Sequence, residues 1–424
     1  MSFTKFGFHK QIHKAIESCG YVIPTPIQDQ AMGSILAGRD LLGLAQTGTG
    51  KTAAFVLPML QGLMNGPRNK VRALIVAPTR ELAEQIHTNI GEMARGTGLK
   101  SAVVYGGVSK GGQVARIRRG CEIIVACPGR LLDLVRDRSV NLRGVETLVL
   151  DEADHMFDQG FLPDIRKILK EVPAKRQTMI FSATMPKEIR HLASEALTNA
   201  ETIQIDHEKP RDSISHVIYP VAQKDKQSLL LKVLKKKEIG TTLVFARTKH
   251  KAKQLAAKLL KAGFQATSLQ GNLSQQKRRQ ALDGFKSGKY KVLVATDIAA
   301  RGIDVSNISH VINFDVPDTT ETYTHRTGRT GRAASKGEAL TFASGEDGHF
   351  VRLVEKNLGK KLDREIVPGF EGENIDTRVA KPKPKGSRKP FAGRKKNPAS
   401  FQQKRRGGRS RAAAFDFGIA TPAR

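Results

Sequence analysis

Between residues 40 and 205 the chain alternates short apolar runs with longer segments of helical periodicity. The runs Asp40–Ala45, Arg72–Ala77, Ala102–Tyr105, Glu122–Ala126, Glu146–Leu150, Thr178–Ser182 and Thr202–Ile205 read as strands. Several are continuous Val/Ile/Leu stretches without polar alternation, the pattern of strands covered on both faces. Between them, segments such as Thr79–Ala94 set Leu82, Ile86, Ile90 and Met93 on one helical face. A polar stretch containing Pro, His207–Ser213, reads as a linker. The pattern then restarts. Val217–Val221, Thr242–Ala246, Ala266–Leu269, Val292–Ala295, His310–Phe314 and Ala339–Ala343 read as strands, with Lys249–Ala262 and Ser274–Ser287 as helices between them. From about Pro368 periodicity is lost. The pattern predicts an α/β chain of two tandem doubly wound parallel-sheet domains, residues 1–206 and 214–367, joined by the linker 207–213. Residues 368–424, rich in Lys, Arg, Pro, Gly and Ser, are expected to form a disordered tail.

Charge adds a partner to this picture. The chain carries a formal +31, and residues 381–424 alone hold 14 Lys/Arg against the single acid Asp416. A polyanion is the natural partner, and nucleic acid the commonest one. No apolar run approaches the ~20 residues needed to span a membrane, and the N-terminus lacks the apolar core of a secretion signal. Cys19, Cys121 and Cys127 form no Cys-x-x-Cys pair; inert thiols in a reducing cytoplasm are expected.

Two segments carry chemistry. Ala45-Gln46-Thr47-Gly48-Thr49-Gly50-Lys51-Thr52 follows a strand and opens the helical run Thr52–Leu63. Gly48 and Gly50 let backbone N–H groups turn towards phosphate oxygens, Lys51 brings a point charge to the β/γ-phosphates, and the Thr52 hydroxyl can ligate Mg2+. Ala45 stands where this pattern usually has Gly. The second segment, Asp151-Glu152-Ala153-Asp154, leaves the end of an apolar strand. Acids in that place commonly just cap the next helix. With a phosphate cradle in the same domain, Asp151 is better read as a metal ligand and Glu152 as the group that orients or deprotonates water. The neighbouring His155 reads as a surface or packing residue.

The order of the remaining motifs resembles the DEAD-box RNA helicases, RecA-like proteins of helicase superfamily 2, over roughly residues 3–345. Pro24-Thr25-Pro26-Ile27-Gln28 resembles the family's adenine-reading segment, with Phe3 at the place of its stacking aromatic. A glutamine amide can match adenine N6 and N7 and reject guanine. The resemblance implies RNA-gripping loops at Pro78-Thr79-Arg80, Gly106-Gly107 and Gly129-Arg130, and a coupling segment at Ser182-Ala183-Thr184. In the second domain it implies RNA or coupling roles for Arg247, Gly271, Gln275, Arg278 and Thr296, and a ribose contact for Asp304. It also implies arginine fingers at Arg329 and Arg332 and domain coupling at His325. Within the family, the short N-terminus and basic tail look most like the bacterial RhlE-type branch. Three positions depart from the family pattern: Cys127 for Thr, Gln270 for His and Thr327 for Ile. Loss of a hydroxyl at Cys127 is expected to leave its backbone N–H for RNA.

The implied activity is RNA-stimulated ATP hydrolysis with local separation of short RNA duplexes, in ribosomal RNA or messenger RNA metabolism. ATP and Mg2+ are the implied cofactors. RNA is held largely through its backbone, with ribosomal precursors or RNA-decay complexes as settings, and no membrane partner is expected. Two rival readings stand beside it. One is a DNA-directed helicase of the same superfamily, and the other a non-enzymatic RNA-annealing protein that works through its tail.

Overall fold

A computed structural model describes residues 2–46, 48–205, 214–236, 239–300, 305, 308–331 and 336–370. The linker 207–213, Thr47, Asp304, Arg332 and the basic tail beyond residue 370 lie outside the described residues.

The first lobe is a seven-stranded parallel sheet of β1 (Leu41–Leu44), β2 (Ala73–Val76), β3 (Ser101–Val104), β4 (Ile123–Ala126), β5 (Thr147–Leu150), β6 (Gln177–Ser182) and β7 (Glu201–Gln204). Its spatial order is β3-β4-β2-β5-β6-β1-β7. The second lobe holds β8 (Ile214–Pro220), β9 (Thr242–Phe245), β10 (Ala266–Leu269), β11 (Val292–Ala295), β12 (His310–Asn313), β13 (Gly337–Ala343) and β14 (Asp363–Arg364). Their order, β10-β11-β9-β12-β13-β8-β14, repeats that of the first lobe strand for strand.

Continuous apolar strands have helices on both faces to satisfy. In β2, Ala73 and Ile75 join one buried cluster and Leu74 and Val76 the other, all four fully buried. Each Leu, Ile or Val buried in this way contributes about 1.5–3 kcal/mol, so a polar residue at any of them is disfavoured and the sequence shows none. Several predicted strands end one residue beyond the observed ones. Ala45 and Ala77 still donate their N–H groups to Ser182 O (3.0 Å) and Ala126 O (2.9 Å), so pairing frays at those ends instead of stopping. β14, two residues at a sheet edge with the exposed Asp363, has no apolar run to announce it.

Asp40 closes the amino-terminal side of the first sheet. Its carboxylate, buried at 8% exposure, accepts from Thr178 N and Thr198 N, both at 2.7 Å. Asp40→Ala strands both donors, and loss of about 2–4 kcal/mol of stability is expected. Denaturant unfolding that shifts by less than ~0.5 kcal/mol, the range of ordinary surface changes, would show that water replaces the carboxylate.

In open parallel sheets, ligands sit beyond the carboxyl ends of the strands. Here the ends of β5, β6 and β1, adjacent in space, release Asp151-Glu152, Ala183-Thr184 and the cradle Ala45–Thr52 side by side. The ends of β3, β4 and β2 release Gly106-Gly107, Pro128–Arg130 and Pro78–Arg80. One half of the carboxyl end of the sheet thus carries the loops read as a phosphate site, and the other half carries the loops implied to grip RNA.

Candidate active site

The cradle forms because glycine allows it. Gly50 (φ 91°) caps the helix Lys51–Leu63, and a Cβ there would sit 2.6 Å from the Gln28 amide nitrogen. Gln28 Nε2 donates to Gly50 O (3.1 Å) and its Oε1 accepts from Thr25 N (2.9 Å). The amide expected to read adenine is therefore buried against the cradle itself, with one N–H and one lone pair left over. Phe3 departs from expectation. Its ring is 2% exposed and stacked on Tyr21 at 6.1 Å between centroids, so it is a core residue with no open face for a base. Burial of so large an apolar ring outweighs leaving it at the surface.

Lys51 is 6% exposed, and its Nζ has no hydrogen-bond partner. Its charge acts on Asp151 and Glu152 without a hydrogen bond to either, which leaves its N–H donors for an oxygen of a bound phosphate. Asp151 and Glu152 are also buried. Burial pushes the Asp151 carboxyl above its usual range against the pull of Lys51, with the neighbouring Glu152 charge adding to the rise. Burial acts on Glu152 in the same sense, but His155, by charge and hydrogen bond, together with Lys51 and Arg329, holds it below the usual carboxylate range. The two neighbouring acids are thus shifted in opposite directions. Glu152 adopts φ 53°, ψ 53°, a left-handed conformation at a non-glycine residue. Among the described residues no group of three or more His, Cys, Asp or Glu could hold a metal alone. One carboxylate and one hydroxyl, Asp151 and Thr52, suit Mg2+, which commonly takes few protein ligands beside phosphate oxygens.

Asp154 makes a contact that the sequence did not expose. Its Oδ2 accepts from Ala183 N (3.1 Å), Thr184 N (2.9 Å) and Thr184 Oγ1 (3.1 Å), while Ser182 Oγ accepts from Asp154 N (3.3 Å) and donates to Thr184 O (2.7 Å). Ser182 and Thr184 are thereby tied to the acidic loop. His155 takes the second of the two places expected of it, packing instead of surface. Far from the surface, its side chain is 4% exposed, Nδ1 lies 2.8 Å from Glu152 Oε2, and its ring meets His325 of the second lobe edge-on at 5.4 Å.

The two lobes belong to one compact unit, and the cleft between them is lined by Gln46, Lys51, Glu152, His155, His325 and Arg329. A second interlobe contact lies towards the other half of the sheet. Arg278 Nε donates to Glu81 Oε1 (2.6 Å), both side chains 9% exposed, and Gln275 Nε2 reaches the same oxygen at 3.4 Å.

Beside that pair runs a channel of about 600 Å3. Pro78, Thr79, Arg80, Gly106, Gly129, Arg130, Gly271 and Arg278 line it. Gly107, Arg247, Gln275 and Thr296, also expected at RNA, are outside its lining. Gly107 (φ 80°) lies against the Arg80 guanidinium, which leaves no room for a Cβ. Arg247 donates to Val316 O (3.1 Å). The lining also includes Cys127, and with it Gln159, Phe161 and Ile298, whose neutral or apolar side chains carry no sign of a nucleic-acid contact in the sequence. At Cys127 the N–H is spent on Val104 O (2.8 Å), so the backbone donor expected to remain for RNA is taken by the strand. The buried Cys127 thiol is pushed up to about 12, mainly by desolvation, and makes no cap bond to its helix.

Residues 25–192 match the DEAD/DEAH box helicase family and residues 225–334 the helicase conserved C-terminal domain. The chain is 42% identical over 370 residues to the ATP-dependent RNA helicase CshA of Listeria monocytogenes, covering 87% of this chain and 71% of that protein. It is 40% identical to the DEAD-box ATP-dependent RNA helicase CshA of Bacillus subtilis, covering 88% and 75%. These relatives bear the CshA name and lend no support to a RhlE-type placement. Among solved structures it resembles S. cerevisiae Dbp5 bound to RNA and ADP BeF3, with TM-score 0.78 and 32% identity over 86% of this chain and 95% of that one. The DEAD-box helicase Mss116 bound to ssRNA and UDP-BeF gives TM-score 0.80 and 28% identity over 87% and 80%. No described helix is long and apolar enough to cross a membrane. With the phosphate cradle, the acidic loop and the second-lobe arginine converging on one cleft, the chain belongs to the DEAD-box family of ATP-dependent RNA helicases.

Proposed function

We propose that the two lobes act as an ATP-driven clamp on RNA, hydrolysing ATP fastest when RNA lies across both and prising apart short duplexes. The observation that carries this reading is that one docking of the lobes builds both sites. It brings His325 and Arg329 against Lys51 and Glu152, and Arg278 against Glu81 beside the channel. Ligands that each favour the docked state must tighten one another's binding.

In this reading Gln46–Thr52 cradle the triphosphate, with Gln28 holding the cradle and meeting the adenine edge. Lys51 neutralises phosphate charge, Glu152 orients the attacking water, and Arg329, with Arg332, steadies charge developing in the transition state. Ser182 and Thr184, fixed on Asp154, and His325 pass the state of the cleft to the channel. Asp304 meets the ribose. Mg2+, held by Thr52 and Asp151, supplies charge neutralisation at the phosphates when bound. Arg80, Gly106, Gly129, Arg130, Gly271 and Arg278 grip RNA along the channel, with Gly107, Arg247, Gln275 and Thr296 at its margins. We place the protein in the cytoplasm, acting on ribosomal precursors or messenger RNA in decay, in keeping with three unbridged cysteines and a nucleic-acid-like charge. ATP hydrolysis with and without single-stranded RNA, beside strand displacement on matched RNA and DNA duplexes, tests the core of this. RNA-dependent hydrolysis and RNA-selective displacement are expected. Equal displacement of DNA would redirect the reading to a DNA helicase, and RNA binding without ATP hydrolysis to an annealing protein.

The basic segment 381–424 adds an anchor. If about six of its cations meet phosphates, its removal lowers the slope of log affinity against log salt by ~4 for single strands. The half-saturating RNA concentration should rise while the maximal hydrolysis rate survives. A truncated chain with unchanged affinity and slope would make the segment a solubility element.

A further inference from the structure

We propose that His155 is a positioning residue for hydrolysis. It holds the Glu152 carboxylate in place and, through His325, makes that hold depend on docking of the lobes. The inference rests on the reading of Glu152 as the water-orienting group and adds the means by which closure reaches it.

The geometry is local on one side and long-range on the other. Glu152 sits immediately before the helix Ala153–Asp158, and His155 lies three residues on, where a helical turn returns to the same face. His155 Nδ1 is 2.8 Å from Glu152 Oε2, with both side chains 4% exposed. An ionised carboxylate only accepts, so Nδ1 carries the hydrogen and donates it. A glutamate side chain has three rotatable bonds before its oxygens. A hydrogen bond to one oxygen leaves the other aimed, and water-orienting groups act through such fixed geometry.

The far side of the imidazole is closed by the other lobe. His325, on the helix Thr320–Thr327, meets it edge-on with ring centroids 5.4 Å apart and planes at 86°. Parting of the lobes withdraws that wall and admits water to a hydrogen bond whose strength depends on exclusion of solvent. Glu152 is thereby held firmly only in the docked state. The helix that carries His155 ends at Asp158 with Gln159 as its cap, and Gln159 and Phe161 line the channel. The same short rod thus begins at the water-orienting carboxylate and ends where RNA is proposed to lie.

The test uses the full chain under saturating ATP and single-stranded RNA. His155→Ala is expected to lower kcat ~10–100-fold, the usual effect of removing a partner that orients a reacting group. The half-saturating ATP and RNA concentrations should stay near the parent values, the pattern of a lost interaction that binding does not use. His155→Asn puts an amide nitrogen close to the Nδ1 position and should restore most of kcat, whereas His155→Gln, which reaches to the Nε2 position, should not. If the Ala variant fails to fold, the Asn and Gln variants decide between them. Parent-like kcat in the Ala variant, or equal kcat in folded Asn and Gln variants, overturns the proposal. Combining His155→Ala with His325→Ala should lose less than the product of the two single losses. Simple multiplication of the effects overturns the closure-dependent part. Glu152→Gln run alongside separates the two readings, because parent-like turnover there removes the role of Glu152 itself, whatever the His155 variants do.

Discussion

Glu152→Gln is expected to bring ATP turnover close to zero while ATP and RNA still bind. The amide keeps the shape of the side chain and leaves Asp151, Thr52 and Lys51 untouched, so the groups proposed to hold phosphate and Mg2+ remain. What is lost is an ionised oxygen aimed into the cleft. In the parent, His155, Lys51 and Arg329 together overcome burial and keep that carboxyl ionised. A glutamine cannot take a proton from water, and loss of a positioned general base commonly lowers rate by ~10²–10⁴-fold. Because binding persists and hydrolysis does not, the variant should form a long-lived complex with RNA in the presence of ATP. Filter binding with labelled RNA, chased with unlabelled RNA, measures that lifetime beside the steady-state hydrolysis rate. Hydrolysis near the parent rate would remove Glu152 from the chemistry, and rapid RNA release with ATP bound would break the link between closure and RNA grip.

Local features were legible in the sequence because they are written in short stretches. Strand-like runs announce thirteen of the fourteen strands among the described residues, most plainly those such as β2 and β4 that are covered on both faces and have no polar position to disguise them. The cradle and acidic loop were visible because each is a contiguous string whose chemistry needs those residues at that spacing. What escaped depends on neighbours far apart in the chain. Asp154 looked like one more acid until β6 brought Ala183 and Thr184 to it. Glu81 and Arg278, separated by 197 positions, meet only because the lobes dock. His155 gives no sign of its second contact for the same reason, because His325 lies in the other lobe. Phe3 was misjudged in the opposite sense. Its place in a motif suggested an open ring, but apolar burial beside Tyr21 and Phe6 decided its position.

The segment His325–Gly331 contains two arginines three positions apart whose substitution should fail in different ways. Arg326 is 3% exposed and uses its guanidinium on Asp297 (2.5 and 2.7 Å), Asn313 (3.2 Å) and Asp315 O (2.7 Å), over the ring of Phe245. It ties the ends of β11, β9 and β12 together. Arg326→Ala leaves Asp297 without its partner and is expected to destabilise the second lobe by about 3–5 kcal/mol, as breaking a buried ion pair does. Arg329, 4% exposed, instead lines the interlobe cleft, where its charge helps keep Glu152 ionised. Arg329→Ala should lower RNA-stimulated kcat by ~10³-fold or more, the scale of arginine fingers in related phosphoryl transfer, far beyond any accompanying loss of stability. Arg329→Lys restores a positive charge without the planar fork, so only a small part of the rate should return. Thermal unfolding of each variant beside its hydrolysis rate at saturating RNA makes the comparison. An Arg329→Ala variant that keeps its turnover, or loses it only in step with its stability, would move the residue from the chemistry to the scaffold. An Arg326→Ala variant of parent stability would show that Asp297 finds another cation and that the lobe does not depend on this junction.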